Sequence, residues 1–228
     1  GGDEADFAIV IAVTDKDKGS NGGFTAFLVD RDMGWKSEPI ITMGESGPAA
    51  LVFEDVRVPH RNILGGIGDG YKLAMEWILK GRYIIPSRAL GAAERLIEMA
   101  INQATTRETF GRPIGDNQAI QWMIADSEVE LEAARWLVLY AAWAVDQGRH
   151  PQHDSAIAKL YGTNTVNRVA DRVLQIHGGM GYTKELPVER WFREVRLWRI
   201  FEGTDEMQRL IIARDLLRGH RKPGAHFH

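Results

Sequence analysis

Residues 120–145, IQWMIADSEVELEAARWLVLYAAWAV, decide the class of the fold. Ile120, Met123, Ile124, Leu131, Ala134, Val138, Ala141 and Val145 recur at helical spacing and form one continuous apolar stripe. Gly148 and Pro151 punctuate its end. A helix of this kind must bury its stripe against neighbours, and the flanking sequence supplies them. From Tyr71 onward helix formers dominate, with Leu73, Trp77, Ile84 and Ile85 among charged residues. Pro86 predicts a kink, after which the pattern resumes through Ala92, Leu96, Met99, Ala100 and Ala104. Downstream, Ser155 to Ile176 reads as a helix closed by Gly178 and Gly179, Pro187 to Arg199 as a short helix with a basic face, and Thr204 to Arg218 as the last. Four or five helices joined by short loops are expected to pack antiparallel.

The first sixty residues read differently. Phe7–Val13 is apolar and β-branched, a buried strand by composition. Phe24–Val29 and Ala50–Pro59 read as two further strands, and the stretch 30–48, with Pro39, Gly44, Gly47 and Pro48, as irregular. The fold class is therefore α+β, mainly α: a partial antiparallel β domain over 1–65, an antiparallel four-helix-bundle domain over 66–219, and a frayed polar tail over 220–228. The chain opens on Gly1 without an initiator Met and shows too few strands for a complete sheet, which reads as a start partway through a domain.

Composition removes several classes of function. The formal net charge of -3 argues against a broad nucleic-acid surface. With no cysteine there is no disulfide framework, thiolate metal site or cysteine nucleophile, which suits a reducing cytoplasm. No apolar run is long enough to span a bilayer. His150 and His153 lie close together with only Asp154 to help, and His226 and His228 sit in the tail, so no metal site is expected.

Four stretches can carry chemistry. Ile200-Phe201-Glu202-Gly203-Thr204-Asp205-Glu206 places one carboxylate before a helix start. Thr204 is a good N-cap, Asp205 and Glu206 suit the positive end of the helix dipole, and Gly203 removes side-chain bulk. Glu202 follows an apolar pair, where desolvation would favour a usable base. Taken alone the stretch also reads as an ordinary capped helix beside a solvated Glu. Arg107-Glu108-Thr109-Phe110-Gly111-Arg112-Pro113 offers two arginines for phosphate or carboxylate around a turn, or simply a solvated loop. Gln118, with Asn117 and Gln121, can cap a helix or hold a ligand's polar edge. Gln175-Ile176-His177-Gly178-Gly179-Met180-Gly181 closes a helix, so it is not the glycine fingerprint that opens one.

Read in order, these motifs, together with Phe53-Glu54-Asp55-Val56-Arg57-Val58-Pro59, Ala125-Asp126, Tyr182 and Pro187-Val188-Glu189-Arg190, resemble the acyl-CoA dehydrogenase family over almost the whole chain. The resemblance implies non-covalent FAD, a homodimer or homotetramer, and a chain covering the second part of the middle β domain plus the C-terminal helical domain. It matches Glu202 to the base that removes the α-proton of an acyl-CoA thioester while hydride leaves the β carbon for the flavin. In the family the base's own backbone N–H helps polarise the thioester carbonyl. It matches Arg107, Thr109, Gln118, Gln175, Gly178, Gly179, Thr204 and Glu206 to FAD contacts, and Arg82, Phe201 and Gly203 to the substrate side. Some members carry the base on the long helix; Leu79-Lys80-Gly81-Arg82 has no carboxylate there. Phe201 replaces a Tyr of some members, and Arg88 stands where Gln or Gly is common.

The implied activity is α,β-desaturation in fatty-acid β-oxidation, with electrons passing to an electron-transfer flavoprotein, in the cytoplasm or, after loss of a transit segment, the mitochondrial matrix. Two alternatives keep the fold: an acyl-CoA oxidase or flavin monooxygenase-like relative, and a non-catalytic helical assembly subunit. Trp122, Trp136 and Trp143 are expected either to bury one face against a second copy or to fill the bundle core.

Overall fold

The computed structural model describes residues 1–45 and 47–224. The end of the tail, with His226 and His228, lies outside the described residues. The chain divides into two compact units, residues 1–78 and 79–228.

In the first unit, β1 (Phe7–Val13) and β2 (Phe24–Asp30) pair antiparallel from Phe7↔Asp30 to Val13↔Phe24. Two further short strands, β3 (Lys36–Pro39) and β4 (Ala49–Val52), form a separate antiparallel pair. β5 (Ile63–Leu64) pairs with the other side of β2, which leaves β1 at an edge. The expectation that β1 is buried is therefore corrected. Alternate residues point to opposite faces, and Phe7, Ile9, Ile11 and Val13 share an exposed one, with Ile9 62% accessible. The strand expected over Ala50–Pro59 stops at Val52. Beyond it the chain bends at Glu54 and Asp55, and Asp55 takes a left-handed backbone, φ 52°, that no ladder can continue. The stretch read as irregular contains β3, because Pro39 sits at a strand end where its missing N–H is harmless.

Helix α1 spans Gly70–Thr106 and carries Pro86 without interruption. Pro86 cannot donate to the Arg82 carbonyl, yet it is fully buried and meets Gly162, where a Cβ would lie 3.0 Å from the ring. In the second unit α2 (Gln118–Asp146), α3 (Gln152–Gly181), α4 (Val188–Leu197) and α5 (Asp205–Leu217) complete the set. The long helical run of α3 breaks at the expected glycines: Gly178 leaves helical geometry, φ 59° and ψ -143°, and a short helical turn to Gly181 follows the kink.

Cross-links give the helix directions. Glu130 of α2 meets Arg168 and Arg172 of α3, whereas Ala141, further along α2, packs with Ala158, earlier in α3. Asn164 meets Asp205 and His153 meets Asp215, so α3 and α5 also run antiparallel. The core gathers Leu96, Leu131, Val166, Val169, Val173, Val188 and Val195 from four helices, with Trp198 just after α4. Trp122, Trp136 and Trp143 do not fill it; Trp136 is 69% exposed.

Glu130 joins α2 to α3 through bonds of 3.0 Å from Arg172 and 2.9 Å from Arg168. Burial pushes its carboxyl up, but hydrogen bonds and charge from the two guanidiniums outweigh burial and hold it below its ordinary 4.5. A carboxylate depressed in the folded state contributes stability above its unfolded pKa and loses it as pH falls through the folded one. The urea midpoint of the wild type is expected to exceed that of Glu130→Gln at pH 7. The gap should close as pH drops below 4.5. A gap independent of pH over that range contradicts this assignment.

Candidate active site

Helix α5 begins at Asp205 because Thr204 stops the preceding chain. Thr204 is extended, φ -60° and ψ 165°, and its hydroxyl accepts the Met207 N–H at 3.4 Å. The two residues before the cap turn the chain tightly, with Glu202 at φ 54° and Gly203 at φ 89°. Gln208, fully buried one turn into α5, donates through Nε2 to the Gly203 carbonyl at 2.8 Å and to the Glu202 carbonyl at 3.4 Å. A Cβ at position 203 would stand 2.8 Å from that amide, and the φ of 89° already favours glycine there.

The Glu202 carboxylate lies over α1 at Gly81. A Cβ on Gly81 would stand 2.7 Å from Glu202 Cδ and closer still to Oε2. The carboxylate thus occupies space that only a glycine leaves free. The next residue on α1, Arg82, is half-buried. Burial lowers its guanidinium below the ordinary arginine range, and the Glu202 charge draws it back up. Its Nε is enclosed without a hydrogen-bond partner. A carboxylate and a partly desolvated guanidinium therefore share one site, and Phe201 packs against the main core beside them. Arg88 lies over the Trp198 ring, 5.5 Å from its centroid. Glu206 is exposed, and its carboxyl is held below 4.5 by its own backbone N–H and by the Thr204 hydroxyl.

Of the residues singled out in the sequence, Arg82, Phe201, Glu202, Gly203, Thr204 and Glu206 come together at this one end of α5. The others lie on separate elements. Glu108–Thr109 (β6) and Arg112–Pro113 (β7) form a hairpin whose central residues, Phe110 and Gly111, both have positive φ. Arg107 precedes it and is exposed; Thr109 is half-buried in it. Gln118 is exposed at the start of α2, and Gln175, Gly178 and Gly179 are exposed near the end of α3. Nothing lies within 4 Å of a Cβ built on Gly178 or Gly179, so the backbone is bare there.

The description "Acyl-CoA dehydrogenase, C-terminal domain" matches residues 68–217. The chain belongs to the acyl-CoA dehydrogenase family. It is 40% identical over 223 residues to the short-chain specific acyl-CoA dehydrogenase, mitochondrial, of Rattus norvegicus, covering 96% of this chain and 54% of that protein. Butyryl-CoA dehydrogenase from Megasphaera elsdenii superposes with a TM-score of 0.87 at 39% identity, over 96% of this chain and 57% of that one. A structure described as PigA with FAD and proline superposes at 0.86 with 31% identity, over 95% and 58%. The chain spans just over half the length of these relatives. Among the described residues, no helix is long and apolar enough to cross a membrane, and no group of three or more His, Asp or Glu is placed to hold a metal ion.

Within this acyl-CoA dehydrogenase family chain, four residues at the site escaped sequence reasoning: Gly81, Lys159, Asn164 and Gln208. Lys159 left one readable sign. It occupies the stripe that Ser155, Gly162, Val166, Val169 and Val173 mark as the inner face of α3, and it is fully buried there.

Proposed function

We propose that the chain carries the base and part of the cofactor cradle of an FAD-dependent acyl-CoA dehydrogenase, with Glu202 removing the α-proton of an acyl-CoA thioester. The observation that carries this reading is the Glu202 carboxylate, fixed over Gly81 beside Arg82 on a loop braced by Gln208. The α C–H pair of electrons becomes the α,β double bond, the proton passes to Glu202 and the β hydrogen leaves as hydride. The Glu202 backbone N–H is the donor we assign to the thioester carbonyl, which gains charge as the proton departs. Gly203 leaves room for the substrate to approach, and Arg82 supplies a fixed positive charge near the carboxylate.

FAD, when bound, supplies the hydride acceptor. Several groups here fit such a molecule: the bare backbone at Gly178 and Gly179, the exposed donors of Arg107, Gln118 and Gln175, and the Thr204 cap region with Glu206. Thr109 completes the hairpin end of this set. We assign an electron-transfer flavoprotein as the electron acceptor, and the cytoplasm or the mitochondrial matrix as the compartment.

The test is the visible spectrum of the protein after incubation with FAD and removal of the unbound fraction. A retained flavin band that bleaches anaerobically on addition of butyryl-CoA supports the reading. A retained band that no acyl-CoA bleaches contradicts it, and oxygen uptake without an added acceptor would assign the oxidase activity instead.

Self-association belongs to the same proposal. Trp122, Val129, Trp136 and Trp143 lie seven residues apart on α2 and are all exposed. We assign this stripe to contact with a second copy. Trp136→Glu is expected to shift the sedimentation coefficient to that of a smaller species, with helical content unchanged. An unaltered sedimentation profile would remove the stripe from the interface.

A further inference from the structure

We infer that Lys159 and Asp205, a buried ion pair beneath the Glu202 loop, are positioning residues that fix the carboxylate of Glu202; this rests on the reading of Glu202 as the base. Lys159 lies on α3 with no accessible side-chain surface, and Asp205, the first residue of α5, is 2% exposed. Their charged atoms, Nζ and Oδ1, stand 3.9 Å apart, and neither has a hydrogen-bond partner. The other carboxylate oxygen of Asp205 is held from two sides, by Asn164 Nδ2 and by Arg199 Nε, each at 2.9 Å. Asp205 also donates its own N–H to the Arg199 carbonyl at 3.1 Å. The start of α5 is thereby tied to α3 and to the residue chain just after α4.

Only Gly203 and Thr204 separate Asp205 from Glu202. Gln208 holds the 202 and 203 carbonyls, so Asp205 and the Glu202 backbone belong to one braced turn. A fully buried lysine is costly for folding unless it is compensated, and here Asp205 is the carboxylate closest to it. Burial pushes its ammonium below the ordinary lysine range; Asp205 and Glu206 draw it back up, and Arg199 and Arg82 oppose them. Arg82 also feels the Glu202 charge, so the buried pair and the proposed base share a common neighbour. Packing alone would be served as well by a methionine at 159. The lysine nitrogen, 3.9 Å from Oδ1, points to orientation of Asp205, and through it of the loop.

The test compares the FAD-loaded wild type with Lys159→Met, Asp205→Asn, the double variant and Glu202→Gln. Lys159→Met and Asp205→Asn are each expected to lower the limiting rate of anaerobic flavin bleaching by about tenfold or more, with the acyl-CoA KM and the flavin content per chain unchanged. The double variant should be no slower than the worse single one, because the two act as a unit. In cofactor-free protein, amide exchange over residues 202–207 should accelerate by about tenfold in Lys159→Met while exchange in α1 and α3 stays at wild-type rates. A wild-type bleaching rate per bound flavin in both single variants overturns the inference, even if they melt earlier. If Lys159→Met does not fold, Asp205→Asn decides by the same two readouts. If Glu202→Gln bleaches normally, the reading of the base has failed instead, and the two failures are thus separable.

Discussion

Glu202→Gln, loaded with FAD, is expected to retain its flavin band and its melting midpoint and yet to bleach at least about 10²–10⁴-fold more slowly with butyryl-CoA. The amide keeps the volume of the carboxylate over Gly81 and can adopt the same left-handed backbone, so the loop and its Gln208 brace have no reason to move. What is lost is the proposed proton acceptor and the negative charge facing Arg82. The Arg82 guanidinium, drawn up by that charge, would then be left with burial alone. Stopped-flow absorbance with flavin content and thermal midpoint measured on the same sample separates the outcomes. Bleaching within a few-fold of wild type excludes Glu202 as the base, whereas loss of flavin would assign it a structural role.

Gly81→Ala should produce a comparably selective defect by a different route. Glycine in a helix interior is less favourable than alanine by about 1 kcal/mol, so the change assists α1 locally. The new Cβ, however, would occupy the place of the Glu202 carboxylate, 2.7 Å from Cδ, and the flexible end of the glutamate must swing away. A misplacement of about 1 Å costs on the order of 10²-fold in rate. The expected pattern is a melting midpoint equal to or above that of wild type, with bleaching slowed on the order of 10²-fold. A fast Gly81→Ala variant would mean that the carboxylate works from another position.

Much of this arrangement is legible in the residue order. The apolar stripe of α2 and the Pro and Gly boundaries around it specify long packed helices, because the period of burial in a helix is written directly into residue order. Thr204 announces the start of α5 in the same local way. Residues 7–13 were misjudged for the opposite reason: an apolar run shows that a strand is favoured but not which neighbours cover its two faces. The hairpin at 108–113 was visible only as a turn, since its ladder is just two residue pairs long.

The site itself was half readable. Family resemblance singled out Glu202, but Gly81 and Lys159 lie far away in the sequence, and nothing at their own positions reveals that they meet residues 202 and 205. A helical glycine and a lysine among small residues are ordinary features until packing brings them under the loop. Such contacts arise from tertiary assembly and carry no local period.

The left-handed backbone of Glu202 sets selection for durability against selection for turnover. An L-residue with a Cβ at φ 54° carries a penalty of roughly 1 kcal/mol that glycine avoids. Heat-challenge screening of a mutant library for survivors, without an activity assay, would therefore enrich glycine or asparagine at 202. On the proposed role of Glu202 as base, the survivors would be robust and inert. Directed evolution of this scaffold should hold that codon constant, and a natural copy freed from metabolic demand would be expected to lose Glu202 early.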